Sequence, residues 1–356
     1  MSPITTAPLS GTIPLWSSHS LVNLVEIFFS HALTAVCVPA FFFISGLLFF
    51  INCNEWNRKH YMTKLKSRSR TLLLPFVLWC IIAFIPILCM NLISIIIHDY
   101  QLSNFLSYVK NNFFHIFYDY SGMPSTTNII GWSILNDAPI LLPLWFLRDL
   151  IILVLSTPII RAGLKNFGPS FIALLFICYL TKIWIPIPGF GISGFFWFSA
   201  GAYISIHKTD FIGFLFRNRI LIISSGIASF VGMTIIDGGN IQYGYIFKPC
   251  LLIPCICLTF YFFAVIAKIK DTAIARSLNG ACFFIYALHV FVIPYVGTPL
   301  SIVRRGLGLA IGDESGLARI CIHLTAPLIT TALCVFLYFV LNKIMPRTTA
   351  ILSGSR

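Results

Sequence analysis

The chain has 356 residues, 58% of them hydrophobic and only 10% charged, with a mean hydropathy of +0.90. A water-soluble domain carries about 25% charged residues, so the composition excludes a soluble globular enzyme and calls for several membrane spans. The net charge of +13 is not a nucleic-acid signal, because the basic residues sit in short stretches between apolar runs.

Residues 1–20 hold Pro3, Pro8, Gly11 and Pro14 among Ser and Thr, which is loop composition. They contain neither a basic leader nor an apolar core, so they are not a signal peptide. Residues 21–345 read as one transmembrane domain, with runs at about 22–51, 72–97, 140–160, 169–184, 190–206, 220–236, 245–267, 281–300 and 320–344. Residues 346–356 are read as a tail. The fold class expected is therefore all-α, a polytopic bundle of about nine helices. Most of the eleven cysteines lie inside these runs, without C-x-x-C or metal-ligand spacing. They read as small apolar residues, and no metal site is expected.

The run at 140–160 contains the stretch Pro143-Leu-Trp-Phe-Leu-Arg-Asp-Leu150. Only the eleven residues Leu150 to Ile160 remain in the run after Asp149, so a spanning helix has to begin near Ile140, with Arg148 roughly 10 Å inside one end. A charge at that depth costs about 2.5–3.5 kcal/mol on insertion scales. Arg148 and Asp149 therefore either line a polar site or form an ion pair between helices. Nine runs alternate sides, and basic residues test the alternation. With 52–70 placed in the cytoplasm, seventeen Lys and Arg fall inside and six outside, with Arg148 in the membrane. That puts the C-terminus in the cytoplasm and residues 1–20 outside. An outside N-terminus without a preceding apolar segment has no export route, so a further helix before Met1 is expected.

Four other stretches carry alternatives. Ser45-Gly46 suits close helix packing better than nucleophilic catalysis, since no base adjoins it. Lys64 to Pro75 contains Arg68 and Arg70 at a helix entrance, and reads either as interfacial anchoring or as a phosphate clamp for the coenzyme A diphosphate. Gly189-Phe-Gly191-Ile-Ser-Gly194 matches a dinucleotide fingerprint, but it lacks a preceding strand and reads as a turn between spans. Tyr286 and His289 share one helix face, about 12–14 Å from the cytoplasmic end, and can meet Arg148 around one cavity. The segment 98–139 offers Tyr100, Tyr108, Tyr118, Tyr120 and Trp132 among Asp99, Asp119 and Asp137, which suits either a sugar face or interfacial anchoring.

Taken together, the P-x-F-F-F-I-S-G-x-L of Pro39–Leu48, the R-x-R-T-L-L-L-P-x-x-L-W of Arg68–Trp79, Pro143–Leu150, the F-F-W-F-S-A-G-A-Y of Phe195–Tyr203 and the F-F-I-Y-A-L-H of Phe283–His289 resemble the acyltransferase-3 membrane O-acyltransferases. These motifs run in family order over about 37–345. The resemblance implies about ten spans and transfer of an acyl group, often acetyl, from cytoplasmic acyl-CoA to a hydroxyl of a cell-envelope polysaccharide or lipid-linked sugar, in the bacterial inner membrane. It also implies a catalytic His at the end of the first span, preceded by an Arg. Neither has a counterpart here: His19 follows a Pro/Ser-rich tail, and His31 is too close to Phe41–Leu48. The chain thus resembles the family minus its first helix, and a truncated chain would be inactive.

On this reading Arg148, Asp149 and His289 are the candidate catalytic residues, with His289 lining the site rather than acting as base. Arg68, Arg70, Trp145 and Tyr286 are the candidate substrate contacts. The partners are the bilayer and a glycan acceptor, not nucleic acid. Two alternatives stay open, a flippase for a lipid-linked saccharide and an inactive remnant that binds a partner.

Overall fold

A computed structural model describes residues 20–51, 56–98, 102–120, 126–129, 132–135, 138–185, 187–238, 244–269, 280–311 and 317–354. Residues 1–19 with His19, and Asp99, Tyr100, Asp137, Lys270, Arg276 and Arg356, lie outside the described residues.

In chain order the helices are α1 Ser20–Ile27, α2 Leu33–Phe50, α3 Arg58–Arg68, α4 Leu74–His98, α5 Leu102–Asn112 and α6 His115–Tyr118. A short antiparallel pair follows, β1 Thr126–Ile129 and β2 Trp132–Leu135, in register Thr126 to Leu135. Then come α7 Trp145–Leu155, α8 Thr157–Phe167, α9 Pro169–Thr181, α10 Ile192–Ile206, α11 Phe211–Arg217, α12 Arg219–Gly238 and α13 Gly244–Ile269. The series ends with α14 Ala281–Ile311, α15 Leu317–Ile344 and α16 Pro346–Leu352. One-turn π segments join α1 to α2 (Phe28–Ala32) and α3 to α4 (Ser69–Leu73), and a 3-10 turn, Leu142–Leu144, leads into α7. Among the described residues the protein is thus all-helical apart from one two-stranded pair.

Among the described residues, five helices are long and apolar enough to cross a membrane: Val22–Phe50, Arg58–Ile97, Arg219–Gly238, Ile246–Lys268 and Ile320–Ile344. The bent pair Leu142–Leu155 and Thr157–Phe167 makes a sixth if taken as one span. Pro169–Thr181, Ile192–Ile206 and Ala281–Gly297 are shorter apolar helices. The protein is a polytopic membrane protein.

Two elements differ from the sequence expectation, each for a local reason. The basic stretch, expected to lie between two spans, is helical from Arg58, because the Asn57 side chain accepts from the backbone N–H of His60 at 2.8 Å and caps it. No Gly or Pro interrupts Arg58 to Leu74, so helix runs on into the apolar span. The run 140–160, expected as one helix, instead bends by 61° between Leu155 and Thr157. Pro158 there lacks an N–H and sits in the first turn of the new helix, where proline is tolerated.

The chain divides into two compact units. The first comprises Met1–Ala40, Asp210–Ile269 and Gly297–Pro327. Its centre is the α12–α13 hairpin. A Cβ at Gly226 would come 2.6 Å from Leu258, so glycine permits the close approach. An ion pair between Asp237 and Lys248 ties the hairpin where it turns. On α1, Asn23 and Glu26 are buried, and Ser30 hydrogen-bonds His323 of α15 at 3.0 Å.

The second unit comprises Phe41–Thr209, Lys270–Val296 and Leu328–Arg356. Within it α2 crosses α10 at two reciprocal glycines. A Cβ at Gly46 would overlap the Phe198 carbonyl, and one at Gly201 would overlap that of Phe43. The Ser205 hydroxyl donates to the Leu47 carbonyl at 2.7 Å across the same contact. Trp79 of α4 is buried against Phe284 and Phe291 of α14, and its indole N–H donates to the Leu352 carbonyl at 3.1 Å. That bond docks α16, the segment expected as a tail, onto α4.

Candidate active site

Arg148 and Asp149 stand in the first turns of α7, and both are buried, at 8% and 5% exposure. The helix proper starts at Trp145, so Arg148 lies only about 4.5 Å beyond its first residue at 1.5 Å per residue. Adjacent residues on a helix point apart, yet the long Arg148 side chain folds back onto its neighbour. Its Nε and Nη2 donate to the same oxygen of Asp149, Oδ1, at 3.1 and 2.9 Å. Its Nη1 donates to the Tyr118 backbone carbonyl at 2.6 Å, and the guanidinium lies 5.5 Å from the centre of the Tyr118 ring. The buried cation is thereby matched by one carboxylate, one carbonyl dipole and one aromatic face.

Two segments reach this pair, and a third packs on the turn that leads into α7. The 115–120 segment supplies Tyr118. It is fixed by Tyr120 N–H to the Ala138 carbonyl at 3.0 Å and Ile140 N–H to the Ile116 carbonyl at 2.9 Å. The 187–191 turn closes over the pair: the Tyr118 hydroxyl donates to the Pro188 carbonyl at 2.8 Å. Gly189 has φ +88°, and a side chain there would collide with Ile152. At Gly191 a Cβ would sit 3.3 Å from Asp149 Oδ2. The glycine run thus forms the turn that the sequence suggested, and it presses that turn on the ion pair. The third segment is α14: the Tyr286 hydroxyl donates to the Pro143 carbonyl, and its ring meets Phe146 edge-on at 6.3 Å.

His289 is half-buried on α14, its ring 6.0 Å from that of Tyr286. The structure therefore links it to the start of α7 through Tyr286. Trp145 is half-buried on the first turn of α7. Arg68 and Arg70 lie elsewhere, near the other end of α7. A cavity of about 630 Å3 opens there, walled by Leu65, Leu72, Leu73, Ile151, Val154 and Leu155, with Lys59, Lys66 and Arg68 among its lining residues. Arg70 is exposed on the π turn and does not line that cavity.

The sequence reading missed the partners of Arg148. A backbone carbonyl leaves no residue-type signal, so Tyr118 stood only as one aromatic among several. It also passed over His115, whose Nδ1 lies 2.6 Å from Asp119 Oδ1. Nearby, the Tyr108 and Tyr120 hydroxyls are 3.1 Å apart. Burial, reinforced by this hydrogen bond, pushes Tyr120 up to about 12, so it stays protonated at working pH.

Comparison with known proteins identifies the class. The model of the acyltransferase-3 family, described as an acyltransferase domain, matches residues 7–342, and the chain belongs to this family. It is a multi-pass membrane acyltransferase, which sets aside the flippase alternative. The chain is also similar to the succinoglycan biosynthesis protein ExoH of Rhizobium meliloti (strain 1021), at 25% identity over 371 aligned positions, covering 96% of this chain and 86% of that protein. No solved structure matches the chain.

Proposed function

We propose that the protein moves an acyl group, acetyl in the simplest case, from acyl-CoA to a hydroxyl of a cell-envelope polysaccharide or its lipid-linked precursor. The observation that carries this reading is the arrangement of α7, with Arg148 and Asp149 near its start and the apolar cavity near its end. The likeness to a succinoglycan biosynthesis protein supports a polysaccharide acceptor.

The chemistry assigns the ends. Coenzyme A joins a diphosphate to an extended, largely neutral arm. The cavity offers cationic Lys59, Lys66 and Arg68 to the phosphates and apolar walls to the arm, while exposed Arg70 adds charge at the approach. As the thioester carbonyl is attacked, negative charge grows on its oxygen. The guanidinium of Arg148, pre-aimed by Asp149 and the Tyr118 carbonyl, stabilises that charge without reorganising. Trp145, Tyr286 and His289 line the acceptor side. The excess of Lys and Arg on one set of connecting segments supports a cytoplasmic C-terminus in a bacterial inner membrane.

The test uses membranes carrying the full chain, acetyl-CoA labelled in the acetyl group, and the producing strain's exopolysaccharide stripped of its esters by mild alkali. The expected result is alkali-labile label on the polysaccharide, absent from membranes without the chain. No transfer from acetyl-CoA or longer acyl-CoA would refute the reading.

A further inference from the structure

One wall of the cavity at the end of α7 is not a regular helix. The π turn Ser69–Leu73, between α3 and α4, supplies Ser69, Leu72 and Leu73 to the lining. Such turns are rare and short, and this one has a cause in the sequence. Pro75 has no N–H, so the Thr71 carbonyl lacks the donor that residue 75 would supply in an α-helix. Where a helix lacks a backbone bond, its geometry depends more on what packs against it.

Two contacts from one segment pack against this turn. The Trp79 indole N–H donates to the Leu352 carbonyl of α16 at 3.1 Å. Just beyond α16, Gly354 lies against Thr71: a Cβ there would sit 2.7 Å from the Thr71 oxygen and 3.9 Å from the Pro75 ring. Gly354 also has φ +79°, a conformation that glycine adopts freely. Thr71 and Trp79 are about 12 Å apart along the helix at 1.5 Å per residue, so the two contacts bracket Pro75. The segment docks by one side. Thr349 and Ser353 are each 2% exposed, whereas Arg347, Thr348 and Ala350 face outward. The same cavity wall is tied separately near its other end, where the Tyr61 hydroxyl of α3 donates to the Leu155 carbonyl of α7 at 3.0 Å.

We propose that residues 346–354 are a strap that holds the π turn in its cavity-forming shape, and that Trp79 and Gly354 set the affinity for the acyl-CoA donor without touching it. This rests on the assignment of that cavity to the donor under the acyl-transfer reading. Trp79 and Gly354 are positioning residues, since neither lines the cavity. They act through Ser69, Leu72 and Leu73, and through Arg68 at the start of the turn. Loosening the strap lets these residues shift, so the apolar wall and the Arg68 charge lose their fit to the donor together. Arg148 and Asp149 stand near the opposite end of α7, about 10 Å from Leu155 along the helix. The strap therefore bears on donor binding and not on the acyl-transfer step.

Full-length wild type, Trp79→Phe, Gly354→Ala and Thr348→Ala are compared in the labelled-acetyl assay with alkali-stripped exopolysaccharide, and the dissociation constant for CoA is measured on each purified protein. Phenylalanine keeps a ring against Phe284 but has no N–H for Leu352. Trp79→Phe should raise the KM for acetyl-CoA and the dissociation constant for CoA about fivefold, the scale of one net hydrogen bond. Gly354→Ala should raise both further, because its Cβ meets backbone. In both variants kcat at saturating acetyl-CoA and the KM for polysaccharide should stay at wild-type values, and Thr348→Ala should match wild type throughout. A merely structural role would lower the amount of active protein and leave both constants for the donor unmoved. Unchanged donor constants in Trp79→Phe and Gly354→Ala would overturn the strap, as would a fall in kcat with donor affinity intact. If Gly354→Ala does not fold, Trp79→Phe decides. If wild type transfers no label, the acyl-transfer reading falls, and the dissociation constants for CoA judge the strap alone. Failure of wild type to bind CoA would overturn both.

Discussion

At the residue scale, the Arg148–Asp149 pair sets the terms. Its two members are buried and mutually bonded, so removing one strands the other. Breaking a buried pair from one side costs on the order of 3–5 kcal/mol, whereas replacing both by apolar groups is often neutral. We expect Asp149→Ala to lower the melting temperature in detergent sharply. The double change Arg148→Met with Asp149→Leu should recover most of that loss while remaining inactive. Recovery of activity together with stability would show the pair to be structural only. The pair was legible in the sequence because a charge within an apolar run is costly and therefore conspicuous. Its surroundings were not. Tyr118 engages through its carbonyl, and Gly189 and Gly191 matter for the side chains they lack, so neither role is written in residue type.

At the element scale, the crossing of α2 and α10 fixes the wall behind the site, since Phe42 of α2 packs on Phe146 of α7 with ring centres 4.9 Å apart. Gly46 and Gly201 face backbone rather than flexible side chains, so an added methyl cannot be absorbed by a rotamer change. Overpacking costs about 1–3 kcal/mol where side chains can yield, and here the helices themselves must separate. Gly46→Ala is expected to lower the yield of folded protein and its melting temperature, by more than Gly297→Ala, where an added Cβ meets nothing within 4 Å. Equal melting temperatures for the two variants would contradict the close crossing. Gly46 could be read from the sequence as a packing residue, because small residues serve membrane helix contacts. The bend after Leu155 could not. A run of apolar residues has no periodicity to show where one helix stops, and a proline inside it fits either a kinked span or the first turn of a new helix. The same bend separates α7 from α8, so the cavity wall ends at Leu155.

At the scale of the whole molecule, hydropathy identified a polytopic helical membrane protein from composition alone. Among the described residues, five helices pass the length and polarity requirement by themselves, and the bent pair adds a sixth if taken as one span. The shorter helices Pro169–Thr181 and Ile192–Ile206 fall below the roughly 20 residues that span a bilayer, although the sequence runs that contain them looked alike in hydropathy. Orientation is the global property on which the proposed donor side depends. A C-terminal green fluorescent protein fusion should fluoresce and a C-terminal alkaline phosphatase fusion should be silent, because the first matures only in the cytoplasm and the second only outside it. The reverse pattern would put the cavity rimmed by Lys59, Lys66 and Arg68 on the side without acyl-CoA. The account rests finally on Arg148 as the group that stabilises the transferring acyl carbonyl. The direct measurement is the rate of labelled acetyl transfer to alkali-stripped exopolysaccharide by membranes holding equal amounts of wild-type and Arg148→Ala protein. The predicted result is transfer by wild type and a loss of at least about 100-fold in the variant, the scale of one lost transition-state donor; transfer at the wild-type rate by Arg148→Ala would contradict it.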